Sequence, residues 1–238
     1  MGISSSLVLS VREGNDLINL FGEVIYDLEN VKEEKINSTL TDHFRNIFRG
    51  LLDYIGNSFN QLGLMPNTMT LLGLAGNTIG AILLAQGSMV WGGLIILLMG
   101  PIDALDGTMA RLRGMDGHFG AFVDSVTDRY SELVIFGGLL YYYVSQGDEV
   151  ATLLVFSAAA GSVLVSYVRA RGQSIGWDTK VGILTRLERY LVLVPSLLIN
   201  RPGLGLWIIA IFANITAIQR ILDVRKQAYQ ENKEKTNI

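Results

Sequence analysis

Residues 99–114 read MGPIDALDGTMARLRG, and residues 120–130 read GAFVDSVTDRY. The two stretches place four aspartates in otherwise apolar sequence: Asp103, Asp106, Asp124 and Asp128. The first pair is spaced by three residues and the second by four, so each pair shares one face of a helix. An aspartate costs about 2.5–3.5 kcal/mol at the centre of a membrane helix. Four of them so close together indicate a function that compensates for their charge.

The composition of the whole chain also indicates a membrane protein. Half of its 238 residues are hydrophobic, only 17% are charged, and the mean hydropathy is +0.36. This balance is too apolar for an ordinary soluble domain and excludes intrinsic disorder. The absence of cysteine excludes disulfide frameworks, iron–sulfur clusters and cysteine nucleophiles, and two histidines are too few for a multi-histidine metal site. The net charge of −3 gives no reason to expect a nucleic-acid partner.

Six apolar stretches follow residue 67, and each is close to the roughly 20 residues that cross the hydrocarbon core of a membrane. They cover residues 68–86, 89–109, 121–145, 149–171, 184–200 and 203–222. Helices are expected because a lipid-exposed backbone must satisfy its own hydrogen bonds. The sequence therefore predicts an all-α integral membrane protein with six transmembrane helices.

The loops between these stretches alternate in charge. Positive residues gather before the first stretch, in every second loop or at the stretch ends beside it, and at or after the end of the last stretch: Arg45, Arg49, Arg111, Arg113, Arg169, Arg171, Lys180, Arg186, Arg189, Arg220, Arg225 and Lys226. The opposite loops are neutral or acidic except for Arg201. By the positive-inside rule, we expect a protein of the cell membrane whose N- and C-termini both lie in the cytoplasm. The four aspartates would then lie near the cytoplasmic face of the membrane.

The N-terminal part differs from these stretches. Apolar residues recur at three- and four-residue steps in the acidic segment 12–35, which predicts an amphipathic helix within an extension over 1–40. Segment 41–62 has one apolar face, with Arg45 and Arg49 on the other side, so we expect an interfacial helix on the membrane. The predicted domains are the acidic extension (1–40), a membrane-embedded domain (41–225) and a polar C-terminal tail (226–238).

The charge of the four aspartates needs a partner. Protonation would neutralise some of them, but Mg²⁺ or Mn²⁺ compensates better because these hard cations prefer carboxylate oxygen. Two neighbouring antiparallel helices would face the pairs across a cavity suited to two metal ions that assist phosphoryl displacement. Small residues around the acids allow close approach of a helix or a ligand: Gly100, Ala104, Gly107, Ala110, Gly117, Gly120 and Ala121. Ordinary helix packing would explain the glycines equally well.

The pattern Asp103-x2-Asp106-Gly107-x2-Ala110-Arg111-x8-Gly120-x3-Asp124-x3-Asp128 resembles the signature of the CDP-alcohol phosphotransferase family. The resemblance covers residues from about 45 to 225. It implies an enzyme that transfers a substituted phosphoryl group from a CDP-linked lipid to an acceptor hydroxyl and releases CMP. It also implies that the four aspartates hold two ions of Mg²⁺ or Mn²⁺, and that Asp128 is the general base for the acceptor.

The same resemblance implies a nucleotide pocket around the aspartates. Its expected members are Asp103, Asp106, Gly107, Arg111, Gly120 and Asp124. The glycines would let the nucleotide lie against the backbone, and Arg111 would offer a planar donor fork to a phosphate. The segment from Pro66 to Thr70 resembles the family's Pro-Asn-x-x-Thr motif, in which Asn67 and Thr70 approach the nucleotide. A plain helix start capped by Asn67 or Thr68 would explain these residue types equally well.

Basic residues at the cytoplasmic ends of the last three stretches indicate a phosphorylated acceptor. Convergent arginines make a phosphate pocket, and the expected members are Arg169, Arg171, Arg186 and Arg220, with Ser166 alongside as the family resemblance implies. Membrane anchoring by positive charge is the alternative explanation. It is equally good for Arg189, with Glu188 as its neighbour or as a separate surface charge.

These basic runs resemble the phosphatidylinositol-phosphate and archaetidylinositol-phosphate synthases, which implies inositol 1-phosphate as the acceptor. The chain departs from that subgroup at Arg169, where a lysine is frequent, and at Thr185, where an acid is frequent. Glycerol 3-phosphate, and with it phosphatidylglycerophosphate synthesis, therefore remains an alternative. The resemblance also implies that the protein forms a homodimer and contacts membrane lipids.

Two other classes of protein stay open at this point. Buried acids also mark ion pathways, so a divalent-cation transporter is one alternative. Against it, the four aspartates gather at one depth rather than along a route across the membrane. The other alternative is a membrane scaffold without catalytic activity.

Overall fold

The computed structural model describes residues 40–114 and 117–236, and within these ranges every regular element is an α-helix. The helices are α1 (Leu40–Gln61), α2 (Pro66–Ala85), α3 (Met89–Leu112), α4 (His118–Gln146), α5 (Glu149–Ser174), α6 (Arg186–Leu198) and α7 (Pro202–Thr236). The helix predicted within 12–35 lies outside the described residues. The chain divides after Arg45, and the part from Asn46 onward forms the helical bundle described below.

Each of the six predicted apolar stretches coincides with one helix from α2 to α7, and the segment 41–62 coincides with α1. Among the described residues, α2, α3, α5 and α7 are long and apolar enough to cross a membrane. Helix α4 has 29 residues but contains several charged side chains, and α6 has only 13 residues. Helix α7 continues to Thr236, so most of the predicted polar tail extends this helix.

The helix ends follow from local sequence. Helix α2 begins with Pro66, which suits the first turn because it lacks a backbone N–H. Its N-cap is Met65, without a side-chain hydrogen bond, so the capping explanation for Asn67 and Thr68 is wrong. Helix α4 ends at Gln146 and is followed by Gly147, whose φ of 70° is left-handed and favours glycine. Asp148 then caps α5 by accepting a hydrogen bond from the N–H of Ala151 at 2.9 Å.

The main helix contacts close into a ring. Helix α2 packs against α3 and α4, α3 packs against α6, α6 against α7, α7 against α5, and α5 against α4. The core inside this ring is apolar; its fully buried side chains include Leu84, Ile96, Leu139, Leu197, Leu206 and Ile209. The two aspartate-bearing helices, α3 and α4, therefore both lie beside α2, while α6 lies on the other side of α3.

Close packing of α2 and α4 depends on Gly138. A Cβ atom at this position would collide with the backbone carbonyl of Ala81 in α2. The neighbouring Gly137 is different, because a Cβ atom there would have no atom within 4 Å. Of these two glycines in one helix, only Gly138 is required for the approach of α2, which brings the aspartates of α4 towards those of α3.

Candidate active site

Asp106 is buried near the C-terminal end of α3 and is held by a residue of α2. The hydroxyl of Thr70 donates a hydrogen bond to Asp106 Oδ2 at 2.6 Å, and the backbone N–H of Gly107 donates to Oδ1. A carboxylate that accepts two such bonds has a fixed orientation. The structure thus brings together two of the predicted nucleotide-site residues, Thr70 and Asp106, through a direct contact between helices.

Asp103 and Asp128 share one guanidinium group. Arg186 Nη2 lies 2.9 Å from Asp103 Oδ2 and 2.6 Å from Asp128 Oδ1. The second cation at Asp128 is Arg129, whose Nη1 lies 3.5 Å from Oδ2. On α2, Gly73 makes room for Asp103, because a Cβ atom there would collide with Oδ1. Residues of α3, α4 and α6 therefore meet at a single nitrogen atom.

Asp124 completes the group, because it interacts electrostatically with Asp103, Asp106 and Asp128. All four predicted aspartates are therefore neighbours. Among the described residues, no group of three or more histidine, cysteine or acidic side chains is already arranged to hold a metal ion. The donor set itself fits hard divalent cations, because it consists of carboxylates from two helices.

The glycines of the signature border open space. A Cβ atom on Gly107 or on Gly120 would have no atom within 4 Å. Both positions adjoin the aspartates in sequence, so a ligand can approach the backbone of α3 and α4 beside the carboxylates. Arg111 is exposed and donates to the hydroxyl of Thr108 at 3.0 Å. Asn67 is exposed in the first turn of α2.

The predicted acceptor residues converge only in part. Arg220 is buried and donates to two backbone carbonyls, Val181 O at 3.0 Å and Val165 O at 2.7 Å, so these donors hold α5 and the segment before α6 against α7. Arg169 interacts electrostatically with Arg220. Its Nε is buried without a hydrogen-bond partner and lies 3.6 Å from the carboxylate of Asp178.

The other predicted acceptor residues lie elsewhere. Arg186 is at the aspartates. Arg171 is exposed and donates to Ser174 at 3.3 Å. Ser166 is half-buried on α5, one turn before Arg169. The structure therefore does not bring the five predicted acceptor residues together in one pocket.

Sequence reasoning missed the ion pair between Glu132 and Arg189. Arg189 Nε and Nη2 donate to the two carboxylate oxygens of Glu132 at 2.7 and 3.1 Å, and Nη1 donates to Leu184 O at 3.3 Å. The pairing of Arg189 with Glu188 is wrong, because Glu188 instead accepts a hydrogen bond from Thr185. A signal existed: Glu132 follows Asp128 by four residues and therefore lies on the same face of α4.

The sequence that builds this site matches a known class of membrane enzyme. Residues 63–219 match the CDP-alcohol phosphatidyltransferase family, and the chain belongs to it. The family resemblance expected from the sequence is therefore confirmed, and the protein is a membrane protein and a transferase of phospholipid biosynthesis.

Several of its relatives are named phosphatidylinositol phosphate synthase or archaetidylinositol phosphate synthase. The chain is 35% identical over 206 residues to the phosphatidylinositol phosphate synthase of Streptomyces avermitilis, covering 79% of this chain and 84% of the relative. It is 32% identical over 177 residues to the archaetidylinositol phosphate synthase of Pyrococcus horikoshii, covering 74% and 92%.

Solved structures agree in fold. The Mycobacterium tuberculosis phosphatidylinositol phosphate synthase with CDP-DAG bound superposes with a TM-score of 0.69 at 28% identity, covering 73% of this chain and 92% of that one. A structure of the same synthase in complex with manganese and citrate also gives a TM-score of 0.69.

Proposed function

We propose that this protein transfers a phosphatidyl or archaetidyl group from a CDP-linked lipid to inositol 1-phosphate and releases CMP. The observation that carries the proposal is the convergence of all four signature aspartates beside the open space at Gly107 and Gly120. The names of the relatives favour inositol phosphate over glycerol 3-phosphate as the acceptor. Membership in this family likewise favours an enzyme over a cation transporter or a scaffold.

The aspartates would hold two divalent ions, Mg²⁺ or Mn²⁺, and the relative that was crystallised with manganese supports this role. Bound ions would neutralise the diphosphate of the donor and assist departure of CMP. The carboxylate of Asp128 would take the proton of the acceptor hydroxyl. The acceptor oxygen would then bond to the lipid-side phosphorus, while the bond from that phosphorus to the bridging oxygen breaks and that oxygen leaves with CMP.

The proposed substrate sites use the open space and the arginines. The cytidine diphosphate would lie along Gly107 and Gly120, within reach of Asn67, Thr70 and Arg111. The acceptor's phosphate would bind beside Arg169, whose buried Nε has no hydrogen-bond partner. Ser166, Arg171, Arg186 and Arg220 are the further proposed members of this phosphate site.

In the proposed membrane arrangement, α2 to α7 all cross the cell membrane and α1 lies at its surface. Asp103 and Asp106 are near the end of α3, Asp124 and Asp128 are near the start of α4, and Arg186 begins α6. These positions share one end of the bundle, the end with the basic loops, so the active site would face the cytoplasm. A homodimer is part of the proposal by family resemblance alone.

The acceptor test uses purified protein in lipid nanodiscs and compares acceptors, with CDP-diacylglycerol or CDP-archaeol as the donor. Each donor is offered with inositol 1-phosphate, glycerol 3-phosphate or inositol, with Mn²⁺ or Mg²⁺ or with EDTA, and CMP release is measured with the lipid product. We expect turnover with inositol 1-phosphate and metal only. Turnover with glycerol 3-phosphate alone would refute the assignment of the acceptor.

A variant pair separates catalysis from folding. Asp128→Asn should abolish transfer in the same assay. Glu149→Gln removes an exposed acid from the start of α5, at the opposite end of the bundle, and should retain full activity. Mn²⁺ uptake into vesicles without CMP release would instead support the transporter.

A further inference from the structure

Arg186 occupies a position that a divalent cation would also favour. One of its nitrogen atoms lies within 3 Å of carboxylate oxygens from both α3 and α4, Asp103 Oδ2 and Asp128 Oδ1. A divalent cation held by Asp103 and Asp128 would need carboxylate oxygens that the guanidinium now contacts. The two cations therefore compete for one place.

Arg186 can leave this place without disturbing its helix. Its side chain is 45% exposed, whereas that of Arg189, one turn later, is 2% exposed and anchored to Glu132. The anchored residue holds the first turn of α6 against α4, so a change of rotamer at Arg186 would break its two ion pairs without moving the helix. Arg186 is also the first residue of α6, where the helix dipole disfavours a cation, so the two carboxylates account for its position.

We infer that Arg186 is an exchangeable counter-cation: a metal ion at Asp103 and Asp128 displaces its guanidinium, which then becomes available to the phosphate of the acceptor. Metal and acceptor binding are thereby coupled through one side chain. By thermodynamic reciprocity, inositol 1-phosphate tightens metal binding by the same factor as metal tightens inositol 1-phosphate binding. This inference rests on the proposed metal and acceptor roles, and its test separates it from them.

The test measures Mn²⁺ affinity by electron paramagnetic resonance of the free ion, in nanodiscs and without acceptor. Arg186→Gln removes the competing charge, so we expect Mn²⁺ to bind about fivefold more tightly or better. Arg186→Lys keeps a cation and should stay near the wild-type affinity. The matched control is Arg201→Gln, which removes the same charge about 20 Å away, beyond the other end of α6, and should change nothing.

Thermal unfolding gives a second, independent readout. In EDTA, Arg186→Gln leaves Asp103 and Asp128 facing each other, so its melting temperature should fall below that of the wild type. Saturating Mn²⁺ should restore it fully, because the ion replaces the missing cation. A general folding defect would lower the melting temperature under both conditions and would overturn the inference.

The remaining outcomes are equally decisive. Unchanged or weaker Mn²⁺ binding by Arg186→Gln would overturn the inference while leaving the proposed function intact. No Mn²⁺ binding by the wild type would overturn both. Inositol 1-phosphate should tighten Mn²⁺ binding in the wild type and not in Arg186→Gln; no effect on the wild type would refute the coupling even if the glutamine variant binds Mn²⁺ more tightly.

Discussion

Glu132→Ala tests how the charged helices α4 and α6 are held together. The change leaves the guanidinium of Arg189 buried, at 2% exposure, without the carboxylate that accepts two of its hydrogen bonds. Removing one partner of a buried ion pair destabilises a protein by about 3–5 kcal/mol, because a desolvated charge remains unpaired. The Glu132 side chain is 18% exposed, so water can reach the site, and we expect the lower limit, about 3 kcal/mol.

The assay is thermal unfolding of the purified variant in detergent, followed by circular dichroism. A loss of 3 kcal/mol corresponds to a decrease in melting temperature of about 6–12 °C for a chain of this size. Glu149→Ala is the control, since it removes an exposed acid from the first turn of α5 and should cost less than about 1 kcal/mol.

A double variant identifies the cause of the loss. Glu132→Leu combined with Arg189→Met replaces the ion pair with apolar groups of similar size, a change that is often neutral or stabilising. We expect it to recover most of the stability lost in Glu132→Ala. The reasoning is refuted if the single variant unfolds within about 1 kcal/mol of the wild type, or if the double variant is no more stable than the single one.

Three further substitutions test helix contacts around the site. Gly138→Ala should lower the free energy of unfolding by about 1–3 kcal/mol, because the added methyl group meets the backbone of α2. The control Gly137→Ala should be neutral or stabilising by up to about 1 kcal/mol. Equal melting temperatures for the two variants would contradict this packing. Thr70→Val removes a hydrogen bond to a buried carboxylate and should slow CMP release about tenfold, while Thr70→Ser keeps the hydroxyl and should retain the rate. Gly73→Ala should displace the carboxylate of Asp103 and weaken Mn²⁺ binding without unfolding the protein, and an unchanged Mn²⁺ affinity would count against that position.

The positions of the four aspartates were predictable because helical spacing is local information. Residues three or four apart share a helix face wherever the helix lies, so the pairs Asp103/Asp106 and Asp124/Asp128 follow from the sequence. The six helices from α2 to α7 were predictable for the same reason, since apolar runs separated by glycine-containing or charged turns define them. The extent of α7 was less predictable, because the predicted apolar stretch ends at residue 222 whereas the helix continues through charged residues to Thr236.

The contacts between helices were not predictable from spacing. Arg189 lies 57 positions from Glu132, and Arg186 lies 83 positions from Asp103. Basic residues in a loop serve membrane orientation, headgroup contact or a phosphate site equally well, and only packing decides which carboxylate each one meets. Arg220 is the clearest example, because two of its donors bind backbone carbonyls that no sequence pattern identifies.

The charges at the site suggest an order in which its cations bind. Among the described residues, the cations within 4 Å of the four aspartates are Arg129 and Arg186. When Arg186 turns away, four carboxylates and one guanidinium group leave three negative charges. One dication would reduce these three negative charges to one, and a second dication would make the site net positive. The second ion is therefore favoured when the donor's diphosphate brings two further negative charges. We therefore expect the protein to bind one Mn²⁺ alone and two in the presence of CDP-diacylglycerol, as counted by titration of the free ion. Two equivalent ions without the nucleotide lipid would show that local charge does not govern their binding.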